Sequence, residues 1–292
     1  MRIRDLKLHF IALALVLARV AHAEPNIIRD LEFARVGDQS LKLDLHLPPD
    51  GTPVKKPLIV YVHGGAWRAG SKSDMPLGKL VAQGFAVASV DYRLSTVAPF
   101  PAQAHDIKAA IRFLRARGSD YKIDATRIAI AGSSAGGHLA ALVGVTNGVA
   151  ELEGTIGDHR SASSAVQAII SLYGASNLES ILSQSTPHGL SVRVPALQLL
   201  LGGQPADQPK LARLASPVAH VDPSDPPILL IHGDADPQMP FEQSLDLQRA
   251  YEAVKRPVQL EVIQGGRHGG SEFYDDARSA LMVRFLEAST TR

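Results

Sequence analysis

A serine hydroxyl is a poor nucleophile at neutral pH. It becomes useful when a nearby histidine takes its proton and a carboxylate orients that histidine. Residues of these types stand at four separated points: His63-Gly-Gly-Ala-Trp67, Gly132-Ser-Ser-Ala-Gly136, His232-Gly-Asp-Ala-Asp236 and Gly265-Gly-Arg-His268. The second fits G-x-S-x-G, whose middle residue, here Ser134, occupies a sharp strand-to-helix turn with its hydroxyl exposed. The flanking glycines are required because side chains there would collide with the neighbouring strand and helix, and the corner residue itself sits in an unfavourable backbone region. By itself the pattern also describes an ordinary glycine-rich turn. What raises it is the company it keeps: a nucleophile, then an acid, then a base, in the order Ser134, Asp236, His268.

Each of these points is predicted to lie at the C-terminal end of a strand. Pro57–Val62, Phe85–Val90, Ile128–Ala131, Gln167–Tyr173 and Pro227–Ile231 are short apolar runs of the kind buried on both faces of a parallel sheet, and Val258–Ile263 closes the set. Ile27–Phe33 and Leu41–Leu47 instead alternate apolar and polar residues, as half-exposed antiparallel strands do. Gly37-Asp38 turns between them and Pro48-Pro49-Asp50-Gly51 follows. Helices are expected over Met75–Gln83, from Phe100-Pro101 to Gly118 with Ala104, Ile107, Ile111 and Leu114 at helical spacing, over Ala135–Val143, Phe241–Ala253 and Asp275–Leu286. Strands alternating with helices imply right-handed crossovers and a mostly parallel central sheet with helices on both faces, an α/β fold. In such sheets ligands bind beyond the C-terminal strand ends, where the four motifs fall. Gly174–Pro217 is long, weakly periodic and rich in Ser, Pro and Gly, and is expected to be a loop or cap insertion. With Ser95–Phe100 and the surroundings of Trp67 it is expected to wall the pocket.

The composition, 45% hydrophobic and 20% charged over 292 residues, suits one compact domain. Arg2, Arg4 and Lys7, the apolar run Phe10–Ala18 and Ala21-His-Ala23 read as a secretory signal, leaving a single domain over 24–292. Its removal takes away four basic residues and one acidic one, so the formal charge passes from +1 to −2. That balance gives no argument for nucleic acid or an anionic membrane as partner. No cysteine is present, which excludes thiol chemistry, and the histidines show no metal-ligand spacing, so no cofactor is expected. The sequence carries no signal of oligomeric state.

Several residues have a second reading. Asp234 competes with Asp236 for the acid but could bind loop backbone instead. His232 competes with His268, and is expected to pack or hydrogen-bond at its strand end. His63 is expected to brace its loop, His138 to pack on its helix and Ser133 to support the turn. Trp67 could either bind substrate or cover the core.

The chain resembles α/β-hydrolase-fold serine esterases, whose site residues follow the same order. More narrowly it is similar to the secreted feruloyl and acetyl-xylan esterase group in His63-Gly-Gly-Ala-Trp67, Asp91-Tyr-Arg-Leu94, Phe100-Pro-Ala-Gln103, Gly132-Ser-Ser-Ala-Gly-Gly-His138 and Gly266-Arg-His-Gly-Gly270. Hormone-sensitive-lipase-like esterases share several of these. The resemblance implies Ser134 as nucleophile, His268 as general base, Asp236 as orienting acid, and an oxyanion hole from the backbone N–H groups of Gly65, Ala66 and Ala135. Many relatives have a third glycine where this chain has Ala66. The substrate implied is a small-molecule or polysaccharide ester, with a general short-chain carboxylesterase with side activity on polyesters, an arylformamidase and a catalytically silent binding module as alternatives. An organophosphate is expected to add covalently at Ser134, located by peptide mass mapping; an adduct on any other residue contradicts the assignment.

Overall fold

The computed structural model describes residues 26–49 and 57–290. The stretch read as a secretory signal and the Asp50-Gly51 turn lie outside the described residues. In chain order the elements are β1 (Asn26–Val36), β2 (Gln39–Leu47), β3 (Leu58–Val62), α1 (Gly78–Ala82), β4 (Ala86–Val90), α2 (Ala102–Arg117), β5 (Ile128–Ser133), α3 (Ala135–Gly144) and α4 (Ala150–Glu153). They continue with β6 (Ala168–Leu172), α5 (Ile181–Gln184), α6 (Pro187–Leu201), α7 (Pro209–Leu214), β7 (Ile228–Gly233), α8 (Glu242–Ala253), β8 (Val258–Ile263) and α9 (Asp276–Thr290).

The strands form one sheet in the order β1-β2-β4-β3-β5-β6-β7-β8. β1 and β2 pair antiparallel, β2 joins β4 antiparallel, and every other pairing is parallel. β1 and β2 are the alternating segments at one margin, whereas β3, β4, β5 and β6 are buried throughout, as their uninterrupted apolar runs require. Period-two alternation sorts the strand residues onto two cores. Val60, Val62, Ile128, Ile130, Ile169 and Leu230 face the layer containing α2, α3 and α8. Ile59, Tyr61, Ala129, Ala131, Ile170 and Ile231 face α1 and α9 through Leu80, Val81, Met282 and Leu286. The order reverses at β3, since the chain steps outward from β3 to β4 and then back across to β5. Such a switch opens a crevice beyond the strand ends, here between the loop after β3 and the turn after β5.

That crevice is set by glycine. A Cβ on Gly132 would overlap the Gly136 carbonyl, and one on Gly136 would overlap the Val62 carbonyl, so β5, α3 and the end of β3 touch backbone to backbone. At the next residue of α3, a Cβ on Gly137 would lie 2.8 Å from the Leu172 carbonyl oxygen of β6.

The segment 174–217, expected as a loop or cap insertion, is largely helical. It folds into α5, α6 and α7 with a short 3-10 turn at Pro217–Ala219. Its helical period is hidden because Pro195 lies inside α6, where it removes a backbone donor, and apolar residues occur on more than one side of that helix. Thr186 caps α6 by accepting a hydrogen bond from the Gly189 N–H at 3.0 Å. α1 is shorter and α9 longer than the sequence predicts.

The loop after β4 is pinned by a buried ion pair. Arg93 donates to Asp106 from Nε at 2.9 Å and from Nη2 at 2.7 Å, and its backbone N–H donates to the same carboxylate at 2.8 Å. Gln103 Nε2 donates to the carbonyls of Arg93 and Ala98, both at 2.8 Å. Asp91-Tyr-Arg-Leu94 and Phe100-Pro-Ala-Gln103 are therefore two halves of one clamp between the β4 loop and α2. Breaking a buried pair from one side leaves an uncompensated charge. Asp106→Ala is expected to lower unfolding free energy by about 3 kcal/mol in urea titration. A change under about 1 kcal/mol, the range of an exposed pair, contradicts the clamp.

Candidate active site

Ser134 follows β5 with φ 54° and ψ −119°, a backbone conformation costly for any residue with a Cβ and tolerated because the glycine contacts leave no alternative path. Its backbone N–H donates to the Leu172 carbonyl at 2.9 Å, and its own carbonyl accepts from His138 at 3.0 Å, starting α3. The hydroxyl stands beyond the sheet and approaches His268 Nε2 at 2.9 Å. His268 Nδ1 lies 2.7 Å from Asp236 Oδ2. Since a carboxylate only accepts, Nδ1 carries the proton and Nε2 is left as the acceptor for the serine hydroxyl.

Asp236 is itself heavily restrained. Its Oδ1 accepts from the backbone N–H groups of Gln238 at 2.8 Å and Met239 at 2.9 Å. Burial pushes its carboxyl upward, but hydrogen bonding from His232 and His268 outweighs this and holds it well below the ordinary carboxylate range. Asp234 faces away from this chain of contacts and accepts from the Gly265 N–H at 2.6 Å, closing the β8 turn. His232 is buried between Ser244 Oγ, at 2.7 Å from Nδ1, and the Met239 carbonyl, at 3.2 Å from Nε2. Its Nε2 also lies 3.4 Å from Asp236 Oδ2, which makes it a support for the carboxylate.

Gly65, Ala66 and Trp67 all have positive φ, at 104°, 51° and 59°. The turn is closed by the Gly65 carbonyl, which accepts from the N–H groups of Arg68 and Ala69 at 3.0 Å each. Ala66 takes the strained conformation without the freedom of glycine. His63 braces this loop: its ring stacks on Tyr92 with centroids 4.4 Å apart, and the Tyr92 hydroxyl donates to the His63 carbonyl at 3.1 Å. Gly64, Gly65 and Ala66 share a cleft of about 310 Å³ with Ser133, Ser134, Tyr173, Gln238, His268 and Gly269. Ala135, the first residue of α3, has an N–H among those that no helical carbonyl can satisfy, and it adjoins the serine. Ser134 and His268 thus share one opening with Gly65 and Ala66, and Ala135 adjoins it through Ser134. A larger cleft of about 570 Å³, lined by Gln167, Pro227, Arg256 and Pro257, lies at the opposite ends of β6, β7 and β8 and has no histidine among its lining residues.

Two expectations about the walls need correction. Trp67 is fully buried and is not among the residues lining the cleft, which is the core-covering role of the two the sequence offered; its Nε1 donates to His138 Nδ1 at 3.0 Å, and the Arg193 guanidinium lies 5.9 Å from its ring centroid. Ser95–Phe100 and residues 174–217 do not line the cleft but support it from behind, for example through the Arg193 Nη2 hydrogen bond to the Gln238 carbonyl at 3.4 Å. Tyr173, by contrast, lines the cleft and had no role in the sequence. The sole local signal was its place at the end of an apolar strand.

This fold and this arrangement of side chains define an α/β-hydrolase. The BD-FAE family model matches residues 43–251, and the chain belongs to the BD-FAE family. It is 33% identical over 247 residues to "Esterase LipC" of Mycobacterium tuberculosis, covering 83% of this chain and 60% of that protein. The chain spans between 52% and 60% of the length of the first curated relatives it matches. Among solved structures it resembles a truncated carbohydrate esterase from gut microbiota, with TM-score 0.81 and 32% identity over 93% of this chain and 99% of that one. An acetyl ester-xyloside bifunctional hydrolase from Caldicellulosiruptor lactoaceticus superposes with TM-score 0.71 and 25% identity, over 86% and 89% of the two chains.

His138 ties these parts together, since its Nε2 lies 2.7 Å from the Ala215 carbonyl while Nδ1 receives the Trp67 proton. Burial, only partly offset by the Ala215 hydrogen bond, lowers its pKa to about 4. A histidine whose folded pKa is depressed contributes stability that is present above its unfolded value near 6.5 and is lost as pH falls through the folded one. The wild type is therefore expected to lose up to about 3 kcal/mol from this group between pH 6.5 and 4. His138→Gln should lower stability at pH 7 and flatten that part of the pH dependence. Parallel urea curves for the two proteins across this window contradict a neutral, buried His138.

Proposed function

We propose that this chain is a serine carboxylic ester hydrolase working through an acyl-enzyme. The observation that carries the reading is the unbroken contact from Asp236 to His268 at 2.7 Å and from His268 to Ser134 at 2.9 Å, opening beside the Gly65–Ala66 turn. His268 Nε2 accepts the Ser134 proton as Oγ forms a bond to the ester carbonyl carbon. The oxyanion faces the N–H groups of Ala135, Gly65 and Ala66, aimed in advance by the helix start and the left-handed turn. Collapse breaks the bond to the alcohol oxygen, which leaves with the proton from His268. Water then enters, gives a proton to His268 and attacks the acyl carbon. Collapse of this second tetrahedral intermediate breaks the acyl–Oγ bond, His268 returns the proton to Ser134 Oγ, and the carboxylic acid leaves. Asp236 stays ionised throughout and keeps the imidazole in the required tautomer.

Within this class we read the substrate as an acetyl or feruloyl ester of plant polysaccharide, and residues 1–23 as the export signal that takes the protein to it. Support comes from two structural neighbours, a carbohydrate esterase and an acetyl ester-xyloside bifunctional hydrolase. The cleft, at about 310 Å³, is at the low end of ligand pockets, which favours short acyl groups.

Ser134→Ala is expected to unfold at the wild-type temperature yet lose at least about 10³-fold in kcat on p-nitrophenyl acetate. Retained turnover would place the chemistry elsewhere. A panel of p-nitrophenyl esters of increasing acyl length, methyl ferulate, acetylated xylan and N-formylkynurenine should rank acetyl esters first by kcat/KM. N-formylkynurenine ranking first would make the protein an arylformamidase.

A further inference from the structure

The esterase reading leaves one wall of the cleft without a role. Ser133 of β5 and Tyr173 just after β6 line it, and behind them their hydroxyls meet those of Tyr61 of β3 and Tyr274 in the short helix before α9. Tyr61 Oη lies 3.0 Å from Ser133 Oγ, and Tyr173 Oη lies 3.1 Å from Tyr274 Oη. Burial pushes the phenols of Tyr173 and Tyr274 upward, so both stay protonated across the working range and can donate as well as accept.

Tyr173 is held where it is at a cost. Its φ is 41°, a left-handed conformation that a bulky residue adopts only under constraint. Its ring meets His268 edge-on at 4.9 Å and Phe273 at 4.5 Å between centroids, so the side chain has a fixed direction. Gly269, beside His268, leaves the phenol uncovered: a Cβ there would stand 3.4 Å from Tyr173 Oη. Both residues line the cleft.

The side of the cleft follows from the chemistry. The leaving alcohol oxygen must come within hydrogen-bond reach of His268 Nε2 to receive its proton. Groups packed against His268 on the open side therefore border the alcohol half of the ester. A phenol has one proton and two acceptor positions, and Tyr274 and Ser133 take up two of these three places, which leaves Tyr173 able to make one further hydrogen bond.

We propose that the Tyr173 hydroxyl, oriented by Tyr274 and left open by Gly269, binds a free hydroxyl on the carbon next to the esterified one in the alcohol half of the substrate. The alcohol this fits is a polyol such as a sugar ring, with recognition by a neutral hydrogen bond and no charge. The proposal deepens the esterase reading and rests on it. Tyr173 is a specificity residue here, not a part of the relay.

The test compares three acetates: p-nitrophenyl acetate, a methyl xyloside monoacetate with its neighbouring hydroxyl free, and the same xyloside with that hydroxyl O-methylated. Wild type is expected to favour the free-hydroxyl xyloside over the methylated one by about tenfold in kcat/KM. Tyr173→Phe, which keeps the ring against His268, should remove that preference, bringing kcat/KM for the two xylosides to within about twofold of each other, because only the lost hydrogen bond distinguished them. Tyr274→Phe should reduce the preference in part, and serves as the check if Tyr173→Phe does not fold. Equal losses on all three acetates, or an undiminished preference in both variants, overturn the subsite and leave the esterase reading standing. A wild type that turns over p-nitrophenyl acetate but neither xyloside also overturns it, and one that hydrolyses no ester at all sinks both.

Discussion

The absence of room for a side chain at Gly132 and Gly136 is the constraint on which the rest of the structure depends. Because β5, α3 and the end of β3 meet through backbone carbonyls, the chain between strand and helix must turn within one residue. Ser134 takes that turn at φ 54°. The same contact brings the loop after β3 beside the serine, so the nucleophile and two of the backbone donors are placed by one packing event. Strain at the corner is tolerated because the surrounding sheet, buried from β3 to β6, over-determines it.

Around this corner, buried polar groups hold each approaching loop in its own way. Asp106 grips Arg93 and with it the β4 loop, which presents Tyr92 to the back of His63. His138 joins Trp67 on one side to Ala215 on the other, coupling the Gly65–Ala66 turn to the segment 174–217. Arg193 of α6 and Thr186 at its cap reach the carbonyls of Gln238 and Pro237, next to Asp236. The loops that carry Gly65–Ala66 and Asp236 are thus each tied to a helix behind them. Catalytic geometry of this kind needs support to within fractions of an ångström, and the ties are local hydrogen bonds inside a low-dielectric core.

Much of the fold was legible because parallel strands buried on both faces read as short apolar runs, and those runs in this chain are clean: Leu58–Val62, Ala86–Val90 and Ile128–Ala131 contain no charge. The strand ends then located the serine and the competing acids and bases, and the resemblance to serine esterases chose Asp236 over Asp234 and His268 over His232. The segment 174–217 was opaque because Pro195 interrupts the period of α6 and its neighbours are single turns. Trp67 was ambiguous for a different reason, since a tryptophan in a strand-end loop suits pocket and core alike. Its direction is decided by His138, seventy-one positions away. The hydroxyl cluster had no sequence signature at all. Tyr61, Ser133, Tyr173 and Tyr274 share no spacing and become neighbours only when four adjacent chain segments end at the same level of the sheet.

The central claim is that Ser134 carries the acyl group between two half-reactions. Rapid acid quench of the protein mixed with excess p-nitrophenyl acetate, followed by peptide mass mapping, tests it directly. The account predicts a burst of p-nitrophenol matched by an acetyl group on the peptide containing Ser134, at that residue and no other. Turnover with no covalent acetyl at any quench time, or an acetyl group mapped to a different side chain, would contradict it.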